Sequence, residues 1–408
     1  MNKDTLQKYA NLIVKMGVNV QPGQEVIINI EVDQYEFARL LVEECYKAQA
    51  SKVTVDWSYQ EITKLNFNNR TEESLGTVLE WEKAKLQHHV DVNPCRIHIV
   101  SQDPDGMKGI DQHKVVAANR ARYPIVKPYQ DALENKYQWT IAAVPSAAWA
   151  KKVFPGIDEE EAVAKLWDAI LYTARVTEDP IKEWENHNAN LASRSEHLNS
   201  LGLVELRYKS SNGTDLKVGL IEDCLFAAGG EYALGSNIFY NPNMPTEEVF
   251  TSPKKGLAEG VVYSSKPLSY RGEIIDNFSM VFKDGKVVEV YAEKNEELLK
   301  QMVSLDEGAS YLGECALVPF DSPISNSGIL FFNTLFDENA SCHLAIGRGF
   351  SNLIKGYENL TQEECEAKGI NSSMTHVDFM IGTRDLSIIG VDKEGKEHVI
   401  FENGNWAF

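Results

Sequence analysis

Three consecutive stretches near the N-terminus limit the fold more than any other feature. Residues 25–32, EVIINIEV, read as a buried strand, and residues 33–50, DQYEFARLLVEECYKAQA, as an amphipathic helix with Asp33 at its start. Residues 52–58, KVTVDWS, return to strand. Strand, helix, strand in that order predicts two parallel strands joined by a helical crossover, because no tight turn can close a parallel pair. CRIHIVS (95–101) and WTIAAVPS (139–146) repeat the theme, each followed by helical sequence. An open, largely parallel α/β sheet of roughly four strands is therefore expected up to about residue 180.

Such sheets often hold a nucleotide, but the glycine patterns that cradle phosphate are missing. There is no G-x-G-x-x-G and no G-x-x-x-x-G-K-[ST]; GRGFSN (347–352) lacks the third glycine and a strand–turn–helix context. From Asp158 to Leu201 the pattern is helical, and then the texture changes. VELRYKSSNGTDLKVGL (204–220) reads as a hairpin with Asn212-Gly213 at its turn, and IIDNFSMVFKDGKVVEVYAE (274–293) as another turning at Asp284-Gly285. The expected organisation is an α/β domain with a helical connector over 1–200, then a mostly β (α+β) domain over 201–408.

Composition narrows the partners. With 43% hydrophobic and 25% charged residues the chain reads as soluble and globular. Its net charge of −20 disfavours nucleic acid, since phosphate binding needs a basic surface. The bland reading of that charge is solubility; the functional one is an attraction for cationic ligands such as the ammonium end of a peptide. No apolar run approaches the ~18 residues of a membrane span. The amphipathic start has no signal-peptide core. Cys45, Cys95, Cys224, Cys315, Cys342 and Cys365 are scattered with no C-x-x-C pair, which argues against a disulfide scaffold. A reducing cytoplasm is the expected location.

Histidine supply limits any metal site, and the chain has nine. H-E-x-x-H is absent. His88 and His89 read as a solvated pair, His113, His187, His197 and His398 as solvated residues, and His98 as a core hydrogen-bonding group. The C-terminal half differs. His376 and Asp378 stand two apart in THVDFMIG, so an extended chain presents both to one face. His343 lies in ENASCHLAIG, Glu314 interrupts YLGECALVP, and Glu247 and Glu248 occur in NPNMPTEEVFTSP. Singly, each has a structural explanation. Two glutamates, two histidines and one aspartate in apolar strands of one domain suit divalent Zn or Co. Five ligands exceed what one catalytic zinc takes and fit two adjacent metals sharing a carboxylate. Alternation turns Cys315 and Cys342 to the opposite face, as core residues.

At these motifs the sequence resembles the aminopeptidase T (aminopeptidase S) family of metallopeptidases, along its whole length and most specifically in NPNMPTEEVFTSP, YLGECALVP, ENASCHLAIG and THVDFMIG. The resemblance implies a homodimeric, cobalt- or zinc-dependent exopeptidase with two metal ions per chain, magnesium or manganese being the alternatives. Such an enzyme removes N-terminal residues from peptides with a free N-terminus, with broad preference, in a largely enclosed cavity. It implies the ligands Glu248, Glu314, His343, His376 and Asp378, with Glu314 bridging, Glu248 and His343 on one ion, and His376 and Asp378 on the other. One position departs: many members carry a tyrosine seven residues after the first ligand histidine, and here Phe350 stands there. Arg348 and Tyr357 are candidates to supply the missing donor, and Arg348 to hold an oxyanion or peptide backbone. Phe350 and Tyr357 are expected beside the substrate. Glu247 is the candidate general base. The competing readings are a hydrolase of another amide or ester, and a catalytically weak metal-binding homodimer.

Overall fold

The computed structural model describes residues 2–408 and divides into two compact units. The first runs to Trp184 and includes Gly230–Met244; the second comprises Glu185–Gly229 and Pro245–Phe408.

The first unit is the expected parallel sheet. β1 (Glu25–Glu31), α1 (Tyr35–Lys47), β2 (Lys52–Ser58), α2 (Glu80–Val92), β3 (Cys95–Val100), α3 (Gln112–Leu133) and β4 (Trp139–Ala143) give the order β2-β1-β3-β4, every pair parallel. A 3₁₀ turn over Val32–Gln34 takes up Asp33, so α1 opens at Tyr35; such turns are common at helix ends. One face of the sheet is largely apolar: Val26, Ile28, Ile30, Cys95, Ile97 and Ile99 are all buried, and the hydroxyl of Thr140 there donates to the Asn241 carbonyl. The other carries Asn29, Asp56, Arg96 and His98, aligned by the register. The segment Gly230–Met244 joins this unit through backbone hydrogen bonds from Asn241 to Gly17 and from Ile141 to Pro242, a long-range return that no local pattern announces.

The second unit is built on two antiparallel sheets. The larger, of nine strands, contains both expected hairpins, Leu203–Lys209 with Asp215–Leu220 and Glu273–Lys283 with Lys286–Lys294. Asp284 and Gly285 take φ of 50° and 77°, the left-handed pair that a tight hairpin turn demands. The smaller sheet consists of Ala227–Ala228 at one edge, then β5 (Val249–Thr251), β6 (Leu312–Leu317), β7 (His343–Gly347) and β8 (His376–Met380). A shared core that includes Tyr208, Leu216, Phe278, Met280, Leu344 and Phe379 joins the two, with the Phe278 and Phe379 rings 6.0 Å apart. This burial of one face of each sheet is what holds the second unit together.

Candidate metal centre

Register in the smaller sheet decides which side chains meet. β7 pairs with β8 so that Ala345 faces Asp378 and Gly347 faces His376. β6 pairs with β7 so that Ala316 faces His343 and Glu314 faces Ala345. Paired residues of antiparallel strands project to one face, and every second residue returns to it. Glu314, His343, His376 and Asp378 therefore share a face. Phe250 of β5 sits opposite Ala316, and Glu248, two residues earlier, reaches the same side. The positions between these polar groups are Ala316, Ala345 and Gly347, which leave the middle of the face open. The opposite face holds Val249, Cys315, Leu317, Leu344, Ile346 and Phe379, all in the core.

The phase of Glu314 depends on a bulge. Leu312 pairs with Ile346 on the core side, and strict alternation would send Glu314 after it. The register shifts between them at Gly313 and turns Glu314 to the polar face. A Cβ at Gly313 would run into the carbonyl oxygens of Gly347 and Arg348. Gly347 itself has φ of +100°, and a side chain there would strike the Thr375 carbonyl.

Both imidazoles are oriented alike. Nδ1 of His376 lies 2.7 Å from the Arg348 carbonyl oxygen, and Nδ1 of His343 lies 3.3 Å from that of Ser341. A carbonyl only accepts, so Nδ1 carries the hydrogen in each and Nε2 faces the carboxylates. Nε2 of His376 is 3.1 Å from both Glu314 Oε2 and Asp378 Oδ1; Nε2 of His343 is 3.3 Å from Glu248 Oε2. A backbone carbonyl on the far nitrogen is the usual way of presenting an imidazole to a metal.

The electrostatics are those of crowded buried anions. Burial, with Glu248 and Asp378 near, lifts the Glu314 carboxyl to about 7 against the hydrogen bond of His376. Burial alone would discharge His343, yet Glu248, Asp378 and Glu314 hold its pKa up to about 10. His376 is likewise held well above its ordinary value against burial by Asp378 and Glu314. Asp378 is depressed to about 2 by the two imidazoles, despite its burial. Protons on Nε2 thus supply positive charge between the carboxylates, where a divalent cation would supply more. The donor atoms of Glu248, Glu314 and His343 lie within 4.8 Å of one another, as do those of Glu314, His376 and Asp378. Oxygen and imidazole donors in two triplets sharing one carboxylate fit a pair of Zn- or Co-like cations.

Of the other expected site residues, Phe350 stands next to the cluster, its ring 5.0 Å from that of His376 and 5.6 Å from that of Phe250. Arg348 contributes its backbone carbonyl, and its side chain is exposed. Glu247 is buried, and its carboxylate lies 3.9 Å from His187 Nε2, which also bonds the Thr246 carbonyl. His187 is thus a nearly buried, bonded group and not a solvated one, as is His398, paired with Asp392 at 2.8 Å. Tyr357 packs against the small core of Ile221, Ile354, Cys365 and Ile370.

Glu338 went unnoticed in the sequence. It sits in a 3₁₀ turn (Glu338–Ala340) ahead of β7, and its pKa is driven well above the ordinary carboxylate range by burial and by Asp378, Glu248 and Glu314. The signal was present, since Glu338 opens the stretch ENASCHLAIG five residues before His343. Beside the cluster lies a cavity of about 230 Å³ whose walls include Leu268, Tyr270, Arg271, His376 and Asp378.

Comparison with known proteins shows the family. The sequence model of the family described as thermophilic metalloprotease (M29) matches residues 2–406. Aminopeptidase AmpS of Bacillus subtilis (strain 168) is 45% identical over 405 residues, covering 99% of this chain and 98% of that protein. Aminopeptidase PepS of Streptococcus thermophilus is 43% identical over 408 residues, with 99% and 98% covered. The solved structure of wild-type AmpT from Thermus thermophilus superposes with a TM-score of 0.90 at 37% identity, covering 100% of both chains. The resemblance read from the four motifs is borne out, and the chain belongs to the M29 family of thermophilic metalloproteases.

Proposed function

We propose that this protein is a metal-dependent aminopeptidase that removes the N-terminal residue from peptides with broad specificity. Glu248, Glu314, His343, His376 and Asp378 would hold two divalent cations, Zn or Co in the first instance. The observation that carries this reading is the pair of donor triplets sharing Glu314. Names of relatives such as Aminopeptidase AmpS support the peptide substrate.

What the cations supply when bound is a water acidified into the neutral range and a polarised scissile carbonyl. The protein's own residues do the rest. The Arg348 and Ser341 carbonyls fix the two imidazoles, so the donor set is preorganised. A proton acceptor is needed for the attacking water. Glu338, buried with Asp378, Glu248 and Glu314 near it, is a second candidate beside Glu247, whose carboxylate faces His187. The hydroxyl-free ring of Phe350 against His376 makes an apolar wall, and the Arg348 side chain remains the candidate to hold the peptide backbone. Tyr357 would meet substrate from outside the cluster. The mostly β half beyond residue 200 carries all of this chemistry, in a homodimer of the cytoplasm.

The test is cleavage of aminoacyl-p-nitroanilides and short peptides with and without chelator. Free N-termini should be cleaved, acetylated ones spared, and activity abolished by chelation and restored by Zn²⁺ or Co²⁺. Cleavage that survives exhaustive chelation would sink the proposal. A second reading, a catalytically weak metal binder, draws on Phe350 standing where many relatives have tyrosine. It predicts about two bound metals per chain with negligible turnover, and a gain of up to ~10²-fold in kcat for Phe350→Tyr.

A further inference from the structure

The parallel sheet of the first unit is unusual on one side. Helices cover both faces of such sheets, and both faces are normally apolar. Here one face presents Asn29, Asp56 and His98 in register, with Arg96 beside Ile27. Helices α2 and α3 cover this face without filling it. They leave a cavity of about 330 Å³, within the range of small-molecule sites.

The charges in this cavity do not cancel. Lys85 donates to Asp56 at 2.6 Å, and Nη2 of Arg122 donates to Glu82 at 2.8 Å. Arg96 is left over, with no carboxylate partner among the described residues. Its guanidinium is held in place: it lies over the Tyr137 ring, 4.7 Å from the centroid, and Nη2 meets Nδ1 of His89 at 3.3 Å. Burial and the positive charges of Arg96 and Lys85 bring His89 down to about 4, so it stays neutral and can accept that bond. Arg96 Nε is buried with no acceptor. The imidazole of His98, expected from sequence to be a hydrogen-bonded core group, makes no hydrogen bond among the described residues and lines the cavity, as does the equally unbonded side-chain amide of Asn29. Trp81 stands at the rim, 65% exposed, near Leu86 and Val126. Water alone could solvate these groups. It would not call for a clamped guanidinium without a counter-ion in a chain of net charge −20.

We propose that this cavity binds a small organic carboxylate of about amino-acid size. Arg96 pairs with the carboxylate in the two-pronged geometry that guanidinium favours. His98 and Asn29 donate to or accept from its polar substituents, and Trp81, Leu86 and Val126 cover its apolar body. Every group belongs to the first unit, and none of them to the carboxylate–imidazole cluster.

The experiment titrates the full-length, metal-loaded protein with benzoate, following tryptophan fluorescence and calorimetric heat, and with inorganic phosphate in a parallel arm. Benzoate is expected to bind at millimolar concentration or below and phosphate at least tenfold more weakly. Arg96→Gln should weaken benzoate at least tenfold while peptidase activity is unchanged. Trp81→Ala, a rim change that spares the fold, should weaken benzoate severalfold without affecting phosphate. If Arg96→Gln does not fold, Arg96→Lys must still weaken benzoate. No benzoate binding, binding indifferent to Arg96 and Trp81, or binding lost in His376→Ala would overturn the proposal, the last by locating the anion at the metal cluster. Phosphate binding as tight as benzoate would overturn the carboxylate assignment.

Discussion

The His376 imidazole is held at both ends, by the Arg348 carbonyl at Nδ1 and by Glu314 and Asp378 at Nε2. Small changes on either side should therefore have separable effects. Gly313→Ala adds a methyl where the Arg348 carbonyl approaches, displacing the acceptor that orients the ring. It is expected to lower metal affinity by about 10–100-fold, the usual cost of losing an outer hydrogen bond to a ligand. Competition against a chromogenic chelator measures it, and unchanged affinity would refute the orienting role. Among the proposed ligands, Glu314 belongs to both donor triplets and His343 to one. Glu314→Ala should thus lose close to two metals per chain and His343→Ala close to one, with activity falling more than ~10²-fold in each. Metal analysis after gel filtration decides it; equal stoichiometry in the two variants would contradict a shared carboxylate.

At the scale of elements, one five-stranded sheet does two jobs on its two faces. Leu344 lies between His343 and Ala345 but points into the core, fully buried. Leu344→Ala is expected to cost about 2–5 kcal/mol of stability, yet to leave metal stoichiometry unchanged at temperatures where the variant is folded. Denaturant unfolding alongside metal analysis checks both halves of that statement. Alternation made much of this sheet legible in the sequence: His376 with Asp378 on one face, and Cys315 and Cys342 on the other, follow from the two-residue period alone. Other features lay beyond local pattern. Glu314 reaches the polar face only through the bulge at Gly313, and glycine in a strand does not by itself announce a bulge. Glu338 enters from a turn, where periodicity carries no information about direction. Asn29, Arg96 and His98 each look like ordinary interruptions of an apolar strand until the parallel register aligns them over one cavity.

At the scale of the whole molecule, the two units should respond to different insults. In the second, Glu248, Glu314, Asp378 and two imidazoles are buried together, and any cation that binds there only in the folded form would stabilise it by mass action. Chelation is therefore expected to lower the Tm of that unit, and added Zn²⁺ or Co²⁺ to restore it. In the first, burial and nearby Arg96 hold His89 and His98 down to about 4, against about 6.5 in an unfolded chain. Above pH 6.5 both are neutral in either state and contribute nothing. As pH falls from 6.5 towards 4, the unfolded chain takes up protons that the folded unit refuses, so stability is lost across that window and the loss levels off below it. For His98 the full effect is up to about 3 kcal/mol. Calorimetric scans of the chelated and metal-loaded protein from pH 7 to pH 4 should show a transition that moves with metal and another that moves with acid. Replacing His98 by Asn should flatten the acid dependence of the second transition while leaving its metal response untouched. An acid dependence identical to that of the native chain would rule out His98 as its source.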